Sequence, residues 1–186
     1  MDTYITPVDI DWDANKLREI CLNDPAPWKP YGHGHFATVC KSEDPYITEH
    51  ILPQLNELGY QTLPGLGFGY YLQCIRARGY LRQHTDMGRS AAINFPIEGE
   101  WDKSPLRLFC PTGENIVAEH TYTPNQAIYF KTSRLHDVIN ESNKQRLSLS
   151  ISLIEKDETI NTLEGEEVFI DDKYLQEMVR INGSVK

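Results

Sequence analysis

The chain of 186 residues carries 18 Lys and Arg against 27 Asp and Glu, a net charge of −9, with 40% apolar and 24% charged residues. That length suits one domain with a buried core, and the acidic excess argues against a protein that grips nucleic-acid phosphates over a broad face, which needs clustered base. No apolar run reaches the ~18 residues of a membrane span, and MDTYITPVDI lacks the basic-then-apolar layout of a secretion signal, so a soluble, cytoplasmic protein is expected.

Residues 1–67 read as a helical and loop-rich lead-in. In 11–23, Leu17, Ile20 and Cys21 share one helical face, and early acidic residues favour a helix N-terminus. A second helix is expected from Asp44-Pro45, with Ile47, Ile51, Leu55 and Leu58 as its apolar stripe, Gly59 as its stop and a kink or break at Pro53. The intervening PAPWKPYGHGHF (25–36) has loop composition. From residue 68 short β segments take over, expected near 69–77, 80–86, 91–97, 105–109, 115–120, 127–131 and 146–154, with turn residues between them. Close spacing without helical crossovers points to an antiparallel sandwich or barrel, so the expected class is mainly β with flanking helices. Residues 155–186 hold nine acidic and four basic side chains and read as a solvated extension with a short helix near 171–179. Cys21, Cys40, Cys74 and Cys110 lie far apart without a C-x-x-C pair and read as free thiols.

Chemistry concentrates at His84-Thr85-Asp86. Residues i and i+2 of a strand point to one face, so this imidazole and carboxylate can meet at one point and suit a divalent transition metal. An H-x-D pair is weak alone, since about 0.4 are expected by chance in this composition. Arg146 to Leu153 alternates strictly, with Leu147, Leu149, Ile151 and Leu153 on one face and Arg146, Ser148, Ser150 and Ser152 on the other. An edge strand facing solvent produces the same alternation. His136, just past a predicted strand, can supply a third ligand, and in a closed barrel Arg146 and Ser148 would line a polar interior able to bind a carboxylate.

His84-x-Asp86, His136 and Arg146 in an R-x-S pattern together resemble the Fe(II)/2-oxoglutarate-dependent dioxygenase superfamily. LQCIRARGYLRQHTD (72–86) is similar to its prolyl-hydroxylase-type members, and HTDMGRSAAINFPI (84–97) to relatives of aspartyl/asparaginyl β-hydroxylases. The resemblance covers roughly residues 68–154 of a single oxygenase domain spanning 1–186. It implies a double-stranded β-helix (a jelly-roll, cupin-like barrel) with Fe(II) held by His84, Asp86 and His136. It further implies 2-oxoglutarate as cosubstrate, its distal carboxylate on Arg146 and Ser148, with O2 consumed and succinate and CO2 released. The implied activity is that of an oxidoreductase, a hydroxylase of an amino-acid, peptide, protein or small-metabolite substrate. The chain departs from the prolyl-hydroxylase pattern in being shorter between Gln73 and the metal motif, and Ala77 stands where those enzymes often carry a tyrosine that contacts 2-oxoglutarate.

Asn94 is a further cosubstrate candidate, with a structural hydrogen bond as the alternative. Arg89 is read as a contact for an acidic substrate group or as a scaffold ion pair, and Tyr71, Gln73 and Trp28 as pocket candidates, with Tyr31 beside Trp28. His33 and His35 form an H-x-H without a carboxylate partner in sequence, which fits a substrate-side loop or plain surface. His50 and His120 read as structural or solvent-facing. Loop 25–36 and segment 98–104, each with a Trp, are expected at the substrate entrance. Two rivals remain: a cupin-type metal enzyme that does not use 2-oxoglutarate, and a non-catalytic barrel that only binds. The first gives Arg146 no task, and the second has no reason to keep all three ligands in phase.

Overall fold

The alternating segment that reads equally well as an edge strand is the middle of a seven-stranded sheet. In the computed structural model, which describes residues 4–23, 28–39, 44–60, 70–86, 88–155, 159–161 and 167–169, strand β11 (Arg146–Leu153) is buried along its whole length. It lies between β6 (Ala91–Glu98) and β4 (Tyr70–Ile75), all antiparallel. Beyond β6 come β9 (Ala127–Lys131) and β1 (Ile5–Val8); beyond β4 come β3 (His35–Val39) and β2 (Lys29–Gly32). A second antiparallel sheet runs β5 (Tyr80–His84), β10 (His136–Ile139), β7 (Leu106–Phe109) and β8 (Ile116–His120). Two antiparallel sheets face to face, with helices on one outer side, make the expected jelly-roll.

The period of two in β11 puts apolar residues on one side and polar ones on the other, and each side has its own work. Leu147, Leu149, Ile151 and Leu153 join Phe95, Ile93 and Leu72 in a cluster that also takes Leu17 and Cys21 of α1 (Ala14–Asn23) and Leu52 and Leu55 of α2 (Leu52–Glu57). Asp13 starts α1 by accepting hydrogen bonds from the Asn15 and Lys16 amides at 2.7 and 3.2 Å. The helix expected from Asp44 opens as a wide π-type segment, Tyr46–Ile51, and becomes α-helical only at Leu52, so Pro53 falls in the first turn of α2, where its missing N–H costs nothing. The opposite face of the sheet meets the smaller sheet through Ile75, Ala92, Ile128 and Phe130 against Leu106, Leu108 and Val138.

Three strands of the larger sheet come from the segment expected to be helix and loop. Their signals are hidden by composition: β2 contains Pro30, tolerated because β2 is an edge strand. The turn into β3 carries three successive left-handed residues, Gly32, His33 and Gly34 (φ 89°, 50° and 75°). Strand β10 is also absent from the sequence reading, being four residues long. In the acidic C-terminal segment, β12 (Thr159–Asn161) and β13 (Glu167–Phe169) pair as a hairpin; the helix expected near 171–179 and the Cys40 thiol lie outside the described residues. No helix among the described residues is long and apolar enough to cross a membrane.

Candidate metal centre and its surroundings

The register between β5 and β10 sets His84 directly opposite His136. Asp86 lies just past the end of β5, and its amide donates to the Thr132 carbonyl at 3.0 Å, which turns the carboxylate back toward both imidazoles. One ligand atom from each of the three residues lies within 4.8 Å of the others. Nε2 of His84 is 3.3 Å from Asp86 Oδ1, and Nε2 of His136 is 3.7 Å from Oδ2.

Both rings are oriented from behind. His84 Nδ1 lies 2.7 Å from the Arg82 carbonyl and His136 Nδ1 lies 2.8 Å from the Arg134 carbonyl. Donation from Nδ1–H in each case leaves the Nε2 lone pairs facing the shared space, the tautomer a metal-binding imidazole needs. Burial pushes the His136 pKa down to about 4, so it stays a neutral donor. Burial also opposes protonation of His84, but the hydrogen bond and charge of Asp86 outweigh it and lift its pKa above the usual value. Burial works against ionised Asp86 as well, and Arg89 together with the two histidines overrides it, holding the carboxyl well below the ordinary range. With His84 deprotonated, as metal binding requires, two imidazole nitrogens and one ionised carboxylate on one side suit a divalent first-row metal with open positions.

Arg89 is committed to this carboxylate. Its Nε and Nη2 lie 2.9 and 2.7 Å from Asp86 Oδ2, and Nη1 donates to Ser150 Oγ at 2.9 Å. The clamp occupies Oδ2 and ties the ligand loop to β11. Its Cζ also lies 5.2 Å from the Tyr71 ring. Of the two readings of Arg89 from sequence, the ion pair is the one observed.

Past the triad, the interior face of the larger sheet is polar. Arg146 is 2% exposed, with its Cζ 4.9 Å from the Tyr122 ring and 5.5 Å from Trp101. Tyr122 is its hydrogen-bonding neighbour, yet Nε and Nη2 have no partner, and neither do Ser148 Oγ or Asn94 Oδ1. Asn94 Nδ2 donates to the Tyr122 hydroxyl at 3.1 Å. Among the described residues no carboxylate pairs with Arg146, and a buried guanidinium left without one is costly.

No family model matches the sequence, and no curated protein does. Solved structures do match. A prolyl-4-hydroxylase from Pseudomonas putida superposes with a TM-score of 0.55 at 18% identity, over 82% of this chain and 93% of that one. An oxidoreductase of the 2OG-Fe(II) oxygenase family from Burkholderia pseudomallei gives 0.60 at 11% identity, over 82% and 85%. A prolyl hydroxylase from Trichoplax adhaerens, in complex with a hypoxia inducible factor oxygen degradation domain peptide fragment, gives 0.61 at 10%, over 82% and 84%. The fold is that of the 2-oxoglutarate/Fe(II) oxygenases.

On this oxygenase fold a cavity of about 490 Å³ opens beside the triad, lined by Tyr71, Gln73, His35, Tyr80 and Arg82 among others. Tyr71 and Gln73 are therefore brought to the site. Trp28 is not: it packs against the apolar cluster on the helical face of the sheet, behind the site. Trp101 is buried over Arg146 rather than at the cavity mouth. His35 is in β3, buried and facing the interior, not in a surface loop, while Tyr31 and His33 line the outer wall. Tyr122 went unnoticed in sequence, and nothing there marks it: it follows β8 by two residues and gains its meaning only across the barrel. His120 packs edge-on against Tyr122 at 5.3 Å, and His50 stacks on Tyr46 at 5.0 Å, far from the triad.

Proposed function

We propose that the protein is a non-haem Fe(II)- and 2-oxoglutarate-dependent oxygenase that hydroxylates a C–H bond of an amino-acid, peptide or small-metabolite substrate, consuming O2 and releasing succinate and CO2. His84, Asp86 and His136 hold the metal through Nε2, Oδ1 and Nε2. Bound Fe(II) supplies the redox chemistry that couples decarboxylation of the 2-oxo acid to oxidation of the substrate. The chain's own residues orient and insulate. Arg89 holds Asp86 ionised and in place. Arg146 pairs with the distal carboxylate of 2-oxoglutarate, Ser148 and Asn94 add hydrogen bonds, and Tyr122 and Trp101 wall off water. The cavity beside the triad receives the 2-oxo acid on its inner side and the substrate at its mouth, with Tyr71 and Gln73 in its lining.

One observation carries this reading: a buried Arg146 without an anionic partner shares the barrel interior with a preoriented His–Asp–His group. A cupin-type enzyme with no use for 2-oxoglutarate would have no reason to bury that charge. The test is calorimetric titration of Mn(II), then of 2-oxoglutarate, followed by anaerobic Fe(II) loading and a succinate-release screen. We expect one metal per chain and metal-dependent 2-oxoglutarate binding. In His136→Ala we expect metal affinity at least about a hundredfold weaker and turnover lost. Unchanged metal binding in that variant would reject the triad.

A further inference from the structure

We propose that His35, at the start of β3, is a further cosubstrate-positioning residue, a neutral imidazole that donates a hydrogen bond to a carboxylate oxygen of the bound 2-oxo acid. The inference rests on the oxygenase reading and adds to it a residue that no part of that reading uses.

The register places the side chain. His35 lies opposite Ile75 in the β3–β4 pair, and Ile75 lies opposite Arg146 in the β4–β11 pair. Residues directly opposite one another in antiparallel strands share a face, so His35, Ile75 and Arg146 form one row across the barrel interior, two strand spacings or about 10 Å from end to end. The neighbouring row, Ala37, Gln73 and Ser148, is built largely of small side chains and leaves open space above the sheet. His35 lines the cavity beside the triad and is close enough to His84, Asp86 and Arg146 to feel the charge of each. On the oxygenase reading, a diacid spanning the triad and Arg146 occupies the interior that His35 shares with both.

His35 is 6% exposed, and neither ring nitrogen has a hydrogen-bonding partner among the described residues. Burial, helped by the nearby His84 and Arg146, drives its pKa down to about 4. It is neutral at physiological pH and keeps one N–H, and every oxygen of a doubly ionised 2-oxo acid is an acceptor. A neutral donor orients the acid without adding a third positive charge to a space that already holds Arg146 and the metal.

The backbone that presents His35 is held hard. The Arg76 amide donates to the Gly34 carbonyl and the Tyr80 amide to the His33 carbonyl, both at 2.9 Å. A Cβ on Gly79 would come within 2.9 Å of the His33 carbonyl oxygen and 3.3 Å of Gly34 Cα, so the two turns touch where only glycine fits. His33 itself takes a left-handed φ of 50° and stacks on Tyr80 at 4.3 Å. Strain of this kind persists where the surroundings over-determine it, and here it fixes the strand that begins with His35.

The test compares wild type, His35→Leu and His35→Gln, each loaded with Mn(II), by calorimetric titration of 2-oxoglutarate and by thermal melting without it. Leucine should weaken 2-oxoglutarate about tenfold or more, the effect of losing one hydrogen bond to a charged group, and glutamine, which keeps an N–H, should recover most of it. Leucine should also raise the melting temperature of the 2-oxoglutarate-free protein, because it replaces an unsatisfied buried polar group with an apolar one; a histidine kept for structure would move it the other way. Equal 2-oxoglutarate affinity in wild type and His35→Leu would overturn the inference and leave the oxygenase reading standing, as would a loss confined to the KM of the substrate that passes the succinate screen. Failure of wild type to bind 2-oxoglutarate would overturn both.

Discussion

Two buried polar groups sit within six residues of each other and behave in opposite ways. At the turn before β11, Asn140 spends everything it has: Nδ2 donates to the carbonyls of Ile75, Arg76 and Lys144, and Oδ1 accepts from the Ser142 amide. Ser142 and Lys144 close the turn with two more bonds. At the start of β11, Arg146 and Ser148 are equally buried, yet among the described residues Nε and Nη2 of Arg146 and Oγ of Ser148 go unpaired, as do Asn94 Oδ1 across the sheet and both nitrogens of His35. The first group holds the chain in place; the second is kept for something that is not chain. Satisfied polar burial marks scaffold, and clustered unsatisfied burial marks a binding site.

Substitution should separate the two most sharply at Arg146. Arg146→Ala should leave Mn(II) affinity nearly unchanged but weaken 2-oxoglutarate roughly 30-fold or more, the ~2–5 kcal/mol typical of removing one partner of a buried charge pair. Arg146→Lys should restore only part, because an ammonium cannot make the planar two-pronged contact. Titration calorimetry on the metal-loaded variants reads both. Asn140→Ala should do the reverse. It removes the side chain that ties three carbonyls together at this turn, two of which keep another donor, and should cost about 1–3 kcal/mol of stability in urea unfolding, while 2-oxoglutarate affinity of the folded protein stays within about twofold.

Acidification should bear on the unsatisfied group. His35 and His136 are held near 4 by burial, against an ordinary value of 6.5. Between those values the unfolded chain takes up protons that the folded chain refuses, so these two groups withdraw stability as the pH falls from 6.5 toward 4. His84, raised by Asp86, acts in the opposite sense and offsets part of the loss. The metal-free protein should therefore melt lower at pH 5 than at pH 7, by the equivalent of about 1–3 kcal/mol, and His35→Leu should flatten the decline. Smallest of all, Ser148→Ala should weaken 2-oxoglutarate only a few-fold, the worth of one hydroxyl beside an intact guanidinium.

What could be read from the sequence follows the same division. The triad and Arg146 stand out because strand phase, chemistry and spacing agree, and the two-residue period of β11 carries both its faces at once. The edge-strand alternative for β11 fails because β4 and β6 pair with it on both sides, a fact of tertiary pairing that its own alternation does not carry. Strand β2 contains Pro30 and the β2–β3 turn is rich in glycine, so local composition argues for loop while pairing with β4 decides for strand. Trp28 stands in that loop, which suggests the pocket, yet its side chain turns to the helical side. Tyr122 and His35 have no periodic signature. Their value comes from facing Arg146 across strands that only the closed barrel brings together.

The pairing of His84 with His136 has a kinetic consequence. The two residues are 52 positions apart and meet only when β10 has docked onto β5, after β6, β7, β8 and β9 have been synthesised and have found their places. Closing so long a loop is slow and is repaid late. A nascent chain therefore shows the metal only the His84–Asp86 half, a weak and unselective pair of ligands, and acquires a competent three-ligand pocket at the final step. On the proposed metal assignment the three-ligand pocket exists only once the barrel has closed, so metal binding should report completion of the fold.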